Sequence, residues 1–70
     1  MPRMEWVVDP DKFNSIIESR VMTYREVAIA AEMSPLTIRR MALGMPVRVH
    51  TVRIVAASLG VSATDFAHAV

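Results

Sequence analysis

Apolar side chains recur at intervals of three and four residues along most of the chain, the pattern of helices that bury one face. The first such stripe consists of Phe13, Ile16, Ile17 and Val21. Asp9 is a suitable N-cap before it, and Pro10 suits the first position of a helix. We therefore predict a first helix over about residues 10–21. Residues 1–8 end in the apolar tripeptide Trp6-Val7-Val8 and are expected to form a short strand or an arm across the helices.

Two further helix starts follow closely along the chain. Thr23 and Glu26 have the spacing of a capping box, in which a hydroxyl and a carboxylate each bind a free main-chain amide at a helix start. Ser34 followed by Pro35 is a second N-cap signal, and Gly44 suits the end of that helix. The two helices predicted by these signals cover about residues 24–31 and 34–43.

The remainder of the chain also has helical spacing. A fourth helix is indicated by Val49, Val52, Val55, Ala56 and Leu59, with Gly60 at its end. A last short helix begins at Ser62, carries Phe66 and continues to the C-terminus, while residues 45–47 form a loop. No two segments show the alternation of a strand pair. We therefore predict an all-α fold of five helices, as a single domain over residues 1–70.

Two short helices joined by a turn of three to four residues are the requirement of a helix-turn-helix, and residues 24–43 meet it. Ala28 lies where the two helices are expected to cross, because only a small side chain fits there. The expected core below the crossing consists of Val27, Ala31, Met33, Ile38 and Met41. The outward face of the second helix, at about 100° per residue, consists of Leu36, Arg39, Arg40 and Leu43.

The net charge of the chain is only +1, but the positive charge is concentrated in the middle of the sequence. Residues 20–59 contain six arginines and two glutamates, a net charge of +4, whereas residues 1–19 sum to −2 and residues 60–70 to −1. Arginine forms bidentate hydrogen bonds with phosphate and with guanine. A basic segment that contains a helix-turn-helix favours binding to nucleic acid.

The sequence contains no pattern that indicates an enzyme active site or a metal site. The chain has no cysteine, and His50 and His68 are distant in sequence with no cluster of ligands around either. There is no glycine-rich phosphate loop and no nucleophile motif. We expect a non-enzyme without a cofactor, a metal or a small-molecule ligand. No signal peptide or membrane-spanning run is found, so a cytoplasmic protein that does not bind membranes is expected.

Three segments carry a resemblance to a known family. They are residues 23–28 (TYREVA), 33–41 (MSPLTIRRM) and 51–62 (TVRIVAASLGVS). In their order and spacing they resemble the phage Cro and lambda-type repressors, also called the XRE-type family, over about residues 12–67. The resemblance implies a lambda-repressor-like DNA-binding domain whose partner is double-stranded operator DNA.

The same resemblance implies roles for individual positions. The residues that face base edges are then Pro35, Leu36, Thr37 and Arg40. Those that face phosphates are Tyr24 and the loop around Arg48. We also expect Arg39 to contact phosphate, while Arg25 and Arg53 add to the positive field without touching DNA.

The chain departs from the family pattern at several of these positions. Tyr24 replaces a common glutamine, although its hydroxyl can donate to a phosphate oxygen. Pro35 and Leu36 replace polar residues, which leaves Leu36 suited to a thymine methyl group. Glu32 stands where glycine is usual, so a positive φ there strains the backbone. Arg48 stands where a capping serine is common, and Thr51 is therefore expected to cap the fourth helix.

The function expected from these features is a Cro-like repressor that occludes polymerase at a near-palindromic operator, as a homodimer at least on DNA. Candidate dimer surfaces are residues 6–8 and 66–70.

One alternative function is a helix-turn-helix fold that binds a host protein or transcription factor through the apolar Leu36, Leu43 and Met45. Another is an excisionase-like or MerR-like protein, because residues 23–41 also resemble the first two helices of those families, which follow the motif with a β wing and also bind DNA.

Overall fold

The computed structural model describes residues 5–70, in which four α-helices and a small antiparallel sheet enclose one core. The α-helices are α1 (Pro10–Ser19), α2 (Tyr24–Ala31), α3 (Pro35–Ala42) and α4 (Val49–Leu59), and a single 3-10 turn covers Ala63–Asp65. The strands are β1 (Glu5–Val8), β2 (Val47–Arg48) and β3 (Ala67–Ala69). The predicted arm or strand at the N-terminus is thus a strand over residues 5–8, and residues 1–4 lie outside the described part of the chain.

Each of the first three helices begins at the residue that its capping signal predicts. Asp9 Oδ1 accepts hydrogen bonds from the main-chain amides of Asp11 and Lys12 at the start of α1. Thr23 and Glu26 form the reciprocal capping box of α2. Ser34 Oγ accepts from the Leu36 amide, 3.1 Å away, at the start of α3. Local hydrogen bonds therefore determine where these helices begin.

The core confirms the predicted arrangement of the helix-turn-helix. α2 packs against α3, Ala28 is buried, and Val27, Ile38 and Met41 are fully buried. Ala31 is also buried, while Met33 is partly buried against the same core. Because α2 packs on α3 through small and apolar side chains, it holds α3 in a fixed orientation.

The sheet corrects the all-α prediction. β1 lies between β2 and β3 and is antiparallel to both, so that Trp6 pairs with Val47 on one side and Ala69 on the other. Val47 therefore belongs to a strand and not to the predicted loop. Both pairings join segments that are far apart in the sequence, and local periodicity does not report contacts of this kind.

The predicted fifth helix is also wrong. Ser62 and Asp65 do form a capping box, but it closes only the 3-10 turn. Phe66 is fully buried and its ring centroid lies 5.3 Å from that of Phe13. Its carbonyl oxygen accepts from the Asp9 amide at 2.7 Å, which directs the next residues along β1. Burial of this aromatic ring outweighs the helical propensity of the alanines that follow it.

The ends of two helices differ from the expectation. α1 ends at Ser19, and Val21 takes a left-handed conformation with φ of 54°. At α4 the N-cap is Arg48, without a side-chain capping bond, and Thr51 lies inside the helix. The cap predicted at Thr51 is therefore wrong, because the pairing of β2 with β1 fixes Arg48 in an extended conformation and α4 begins directly after it. No helix within residues 5–70 has the length and apolar character that a bilayer crossing requires.

Candidate nucleic-acid interface

Helix α3 has one buried face and one exposed face. Ile38, Met41 and Ala42 point into the core. The opposite face is formed by Leu36, Arg39, Arg40 and Leu43, all of them exposed as the helical spacing predicts. Thr37 lies between the two faces and is partly exposed, and Pro35 is exposed at the first helical position. A rigidly packed helix therefore presents two guanidinium groups and two leucine side chains on its outward face.

A groove of about 300 Å³ lies where the N-terminal ends of α2 and α3 come together. Its lining consists of Tyr24, Arg25, Pro35, Leu36 and Arg39. Two arginines thus share a concave site with one aromatic ring and one apolar side chain. Both helices also begin here, and helix N-termini carry a partial positive charge. The groove has the electrostatic character of a site for an anion.

The sequence predicts for Arg25 only a contribution to the positive field around the site, whereas in the structure it lines this groove. The sequence did contain one signal, because Arg25 is the second residue of α2 and so lies at the same end of that helix as Tyr24. Its proximity to Arg39 depends on how α2 crosses α3, which the sequence does not give. The structure therefore adds Arg25 to the candidate phosphate contacts.

Tyr24 is held in place by two contacts with α1. Its ring stacks on Phe13, with centroids 6.4 Å apart and planes 12° from parallel. Its hydroxyl donates a hydrogen bond to Asn14 Oδ1, a partner that the sequence analysis did not identify. The tyrosine is thus partly buried and its hydroxyl proton is in use within the protein. A contact from this hydroxyl to a phosphate has to compete with Asn14.

Arg48 lies apart from the groove, on the exposed side of the sheet. It occupies β2 directly opposite Glu5 of β1. Residues that pair across antiparallel strands project from the same face, with Cβ atoms about 5 Å apart. Arg48 therefore has a carboxylate as its cross-strand neighbour, and the positive charge that it offers to a phosphate is partly offset.

Three further arginines of the described residues lie outside the groove. Arg40 is exposed on α3 and Arg53 on α4. Arg20 donates from Nε to the carbonyl oxygen of Leu59, so its charge serves the C-terminal end of α4. Within residues 5–70, no group of three or more histidine, cysteine, aspartate or glutamate side chains is arranged to hold a metal ion.

Comparison with protein-family models gives no match, and comparison with curated protein sequences gives none either. A solved structure entitled transcriptional regulator VanUg matches with a TM-score of 0.74 and 17% sequence identity. The match covers 100% of this chain and 91% of that one. The chain therefore has a fold similar to that of this protein.

Proposed function

We propose that this chain is a transcriptional regulator that binds double-stranded DNA in a sequence-specific manner by inserting α3 into the major groove. The observation that carries the proposal is the outward face of α3, where Leu36, Arg39 and Arg40 are exposed on a helix that α2 holds against the core. A helix with this support is the reading element of a helix-turn-helix. The fold that the chain shares with VanUg supports the same function.

The residues proposed to contact DNA divide into two groups by their chemistry. The base-reading group comprises Pro35, Leu36, Thr37 and Arg40. Of these, Arg40 is suited to a guanine, whose O6 and N7 accept two hydrogen bonds from one guanidinium. The phosphate-binding group comprises Tyr24, Arg25, Arg39 and Arg48. Contacts of the second group give affinity and orientation, whereas those of the first give specificity.

A Cro-like repressor is the form of regulator that we favour. Repression then follows from occupancy, since a protein on the promoter excludes polymerase. A near-palindromic operator calls for two copies related by a two-fold axis, with their α3 helices one turn of DNA apart. We propose that the second copy joins on DNA, and that the protein acts in the cytoplasm, where such an operator is accessible.

Selection of bound sequences from a random duplex library, followed by affinity measurements across a salt series, tests the proposal. We expect an enriched motif and an affinity that falls steeply with salt, because each neutralised phosphate releases counterions. Arg39→Ala should lower the slope of log affinity against log salt by about one unit. Arg40→Ala should cost about 1–3 kcal/mol and relax preference at one base pair.

Arg53→Ala is the matched control, because it removes the same charge from an exposed position on α4, outside the groove. It should leave the motif unchanged and alter the salt slope less than Arg39→Ala does. Failure of the folded protein to enrich any motif, together with no salt-sensitive binding, contradicts the proposed function.

A protein-interaction module is the second candidate function. The observation in its favour is the exposure of three large apolar side chains, Leu36, Leu43 and Met45, which are between 46% and 68% exposed. A protein partner should bind through these side chains with weak dependence on salt. Leu43→Ala separates the two functions, because it should weaken binding to a protein and leave affinity for DNA within about twofold.

The structure also bears on the excisionase-like and MerR-like alternative. A strand does follow α3, but β2 is two residues long and pairs with β1, which precedes α1. α4 begins at the next residue. A β wing is a hairpin that follows the motif, and this arrangement differs from it, so the Cro-like interpretation is preferred.

A further inference from the structure

We propose that α3 carries a methyl-reading position, at which Leu36 contacts the C5 methyl group of one pyrimidine and accepts 5-methylcytosine in place of thymine. This inference rests on the proposed binding of α3 in the major groove. It adds the chemical class of the base that Leu36 selects, a 5-methylated pyrimidine. Where the operator has cytosine at that position, binding then depends on methylation of that cytosine.

The position of Leu36 supports a contact with DNA. It is the second residue of α3 and its side chain is 53% exposed, whereas Ile38 two residues later is fully buried. The main-chain amide of Leu36 donates a hydrogen bond to Ser34 Oγ, which fixes the main chain at this point. The side chain borders the groove that Arg25 and Arg39 also line. When those arginines bind phosphates as proposed, Leu36 lies beside them at the N-terminal end of α3, the end through which a recognition helix contacts bases.

The chemistry of leucine limits what it can recognise. Its side chain has no hydrogen-bond donor or acceptor, so it cannot distinguish the polar edges of the four bases. The apolar group that the major groove offers is the C5 methyl of thymine. 5-Methylcytosine carries the same methyl on the same ring carbon. Because Leu36 contacts only this group, thymine and 5-methylcytosine are equivalent to it.

Leu43 provides a control on the same helix face. It is the same residue type, is 68% exposed and lies seven residues further along, about 10 Å along the helix axis. It is the C-cap residue of α3, whereas a recognition helix contacts bases through its N-terminal residues. Leu43 should therefore not read a methyl group.

The test uses the motif recovered by library selection and replaces each pyrimidine in turn by thymine, uracil, 5-methylcytosine and cytosine. At one position of each half-site, thymine should bind about fourfold more tightly than uracil, the factor expected for burying one additional carbon. 5-Methylcytosine should exceed cytosine at that position by the same factor. Leu36→Ala should abolish both differences, and Leu43→Ala should preserve both.

Two results overturn the inference while leaving DNA binding intact. One is a recovered motif in which no pyrimidine responds to its methyl group. The other is a methyl response that persists in Leu36→Ala or disappears in Leu43→Ala. A selection that recovers no motif instead contradicts the proposed function, and this inference with it.

Discussion

The guanidinium Nε of Arg20 donates a hydrogen bond to the carbonyl oxygen of Leu59, 3.0 Å away. Leu59 is the last residue of α4, where carbonyl groups lack partners within the helix, and Arg20 is the C-cap residue of α1. One side chain thus joins the C-terminal ends of two helices that are distant in sequence. The positive charge also lies at the negative end of the α4 dipole.

Replacing this arginine should affect stability and not DNA binding. Arg20→Ala removes a charged hydrogen bond, and we expect the free energy of unfolding to fall by about 1 kcal/mol, or roughly 4–8 °C in Tm. Urea denaturation measures the change. Arg53→Ala, also an exposed arginine, should leave the unfolding midpoint unchanged. A loss of DNA affinity in folded Arg20→Ala protein contradicts a purely structural role.

Substitution of Val21 should raise the stability of the protein, which is uncommon for an exposed position. It is 88% exposed and has φ of 54°, a left-handed conformation that costs a non-glycine residue about 1–2 kcal/mol. Val21→Gly should therefore raise the free energy of unfolding by up to about 1 kcal/mol, after the entropy cost of glycine is subtracted. Gly60→Ala is the reciprocal variant, with φ of 71° and open space around the new Cβ, and it should destabilise. If both variants shift the urea midpoint in the same direction, strain at Val21 is not the explanation.

The hydrogen bond between Tyr24 and Asn14 should stabilise the fold and at the same time weaken DNA binding. Asn14→Ala should lower the free energy of unfolding by about 1 kcal/mol, and it should strengthen DNA binding because the Tyr24 hydroxyl becomes free to donate to phosphate. Tyr24→Phe keeps the stacking on Phe13 and should weaken both properties. Denaturation and DNA titration of both variants and their double mutant measure the coupling. Equal DNA affinity in all four proteins contradicts a phosphate contact from Tyr24.

Glu5 should lower the affinity for DNA, because its carboxylate partly offsets the charge of Arg48. Glu5→Gln removes the cross-strand carboxylate, and we expect affinity for DNA at low salt to rise by about two- to fivefold, the range implied by such charge pairs. The gain should shrink as salt rises, because exposed charges are screened. In an Arg48→Ala background the same substitution should have little effect. An equal gain in both backgrounds would instead indicate a general effect of net charge.

The starts of α1, α2 and α3, and with them the helix-turn-helix, could be predicted because their determinants are local. Asp9, Thr23 and Ser34 cap helices through bonds that span two or three residues, and the sequence shows such spacings directly. The sheet could not be predicted, because β1 pairs with a strand near the other end of the chain. The Ala67–Ala69 strand also lacks β-branched residues, so its composition resembles that of a helix.

The same division holds for the candidate site. The outward orientation of Leu36, Arg39 and Arg40 follows from helical periodicity and is found in the structure. The approach of Arg25 to Arg39 and the bond from Tyr24 to Asn14 depend on how separate helices cross. Sequence patterns give the face of each helix but not its neighbours. The roles of these residues on DNA stay predictions.

The sheet also imposes an order on assembly as the chain is made. β1 is synthesised first but has β3 as a partner only after all four helices have been translated. The amide of Val70 donates to the carbonyl oxygen of Glu5 at 3.0 Å, so the described chain closes almost into a ring. Helices form from local contacts, whereas closing so long a loop is slow. The pairing of β1 with β3 can therefore be completed only after the whole of residues 5–70 has been synthesised.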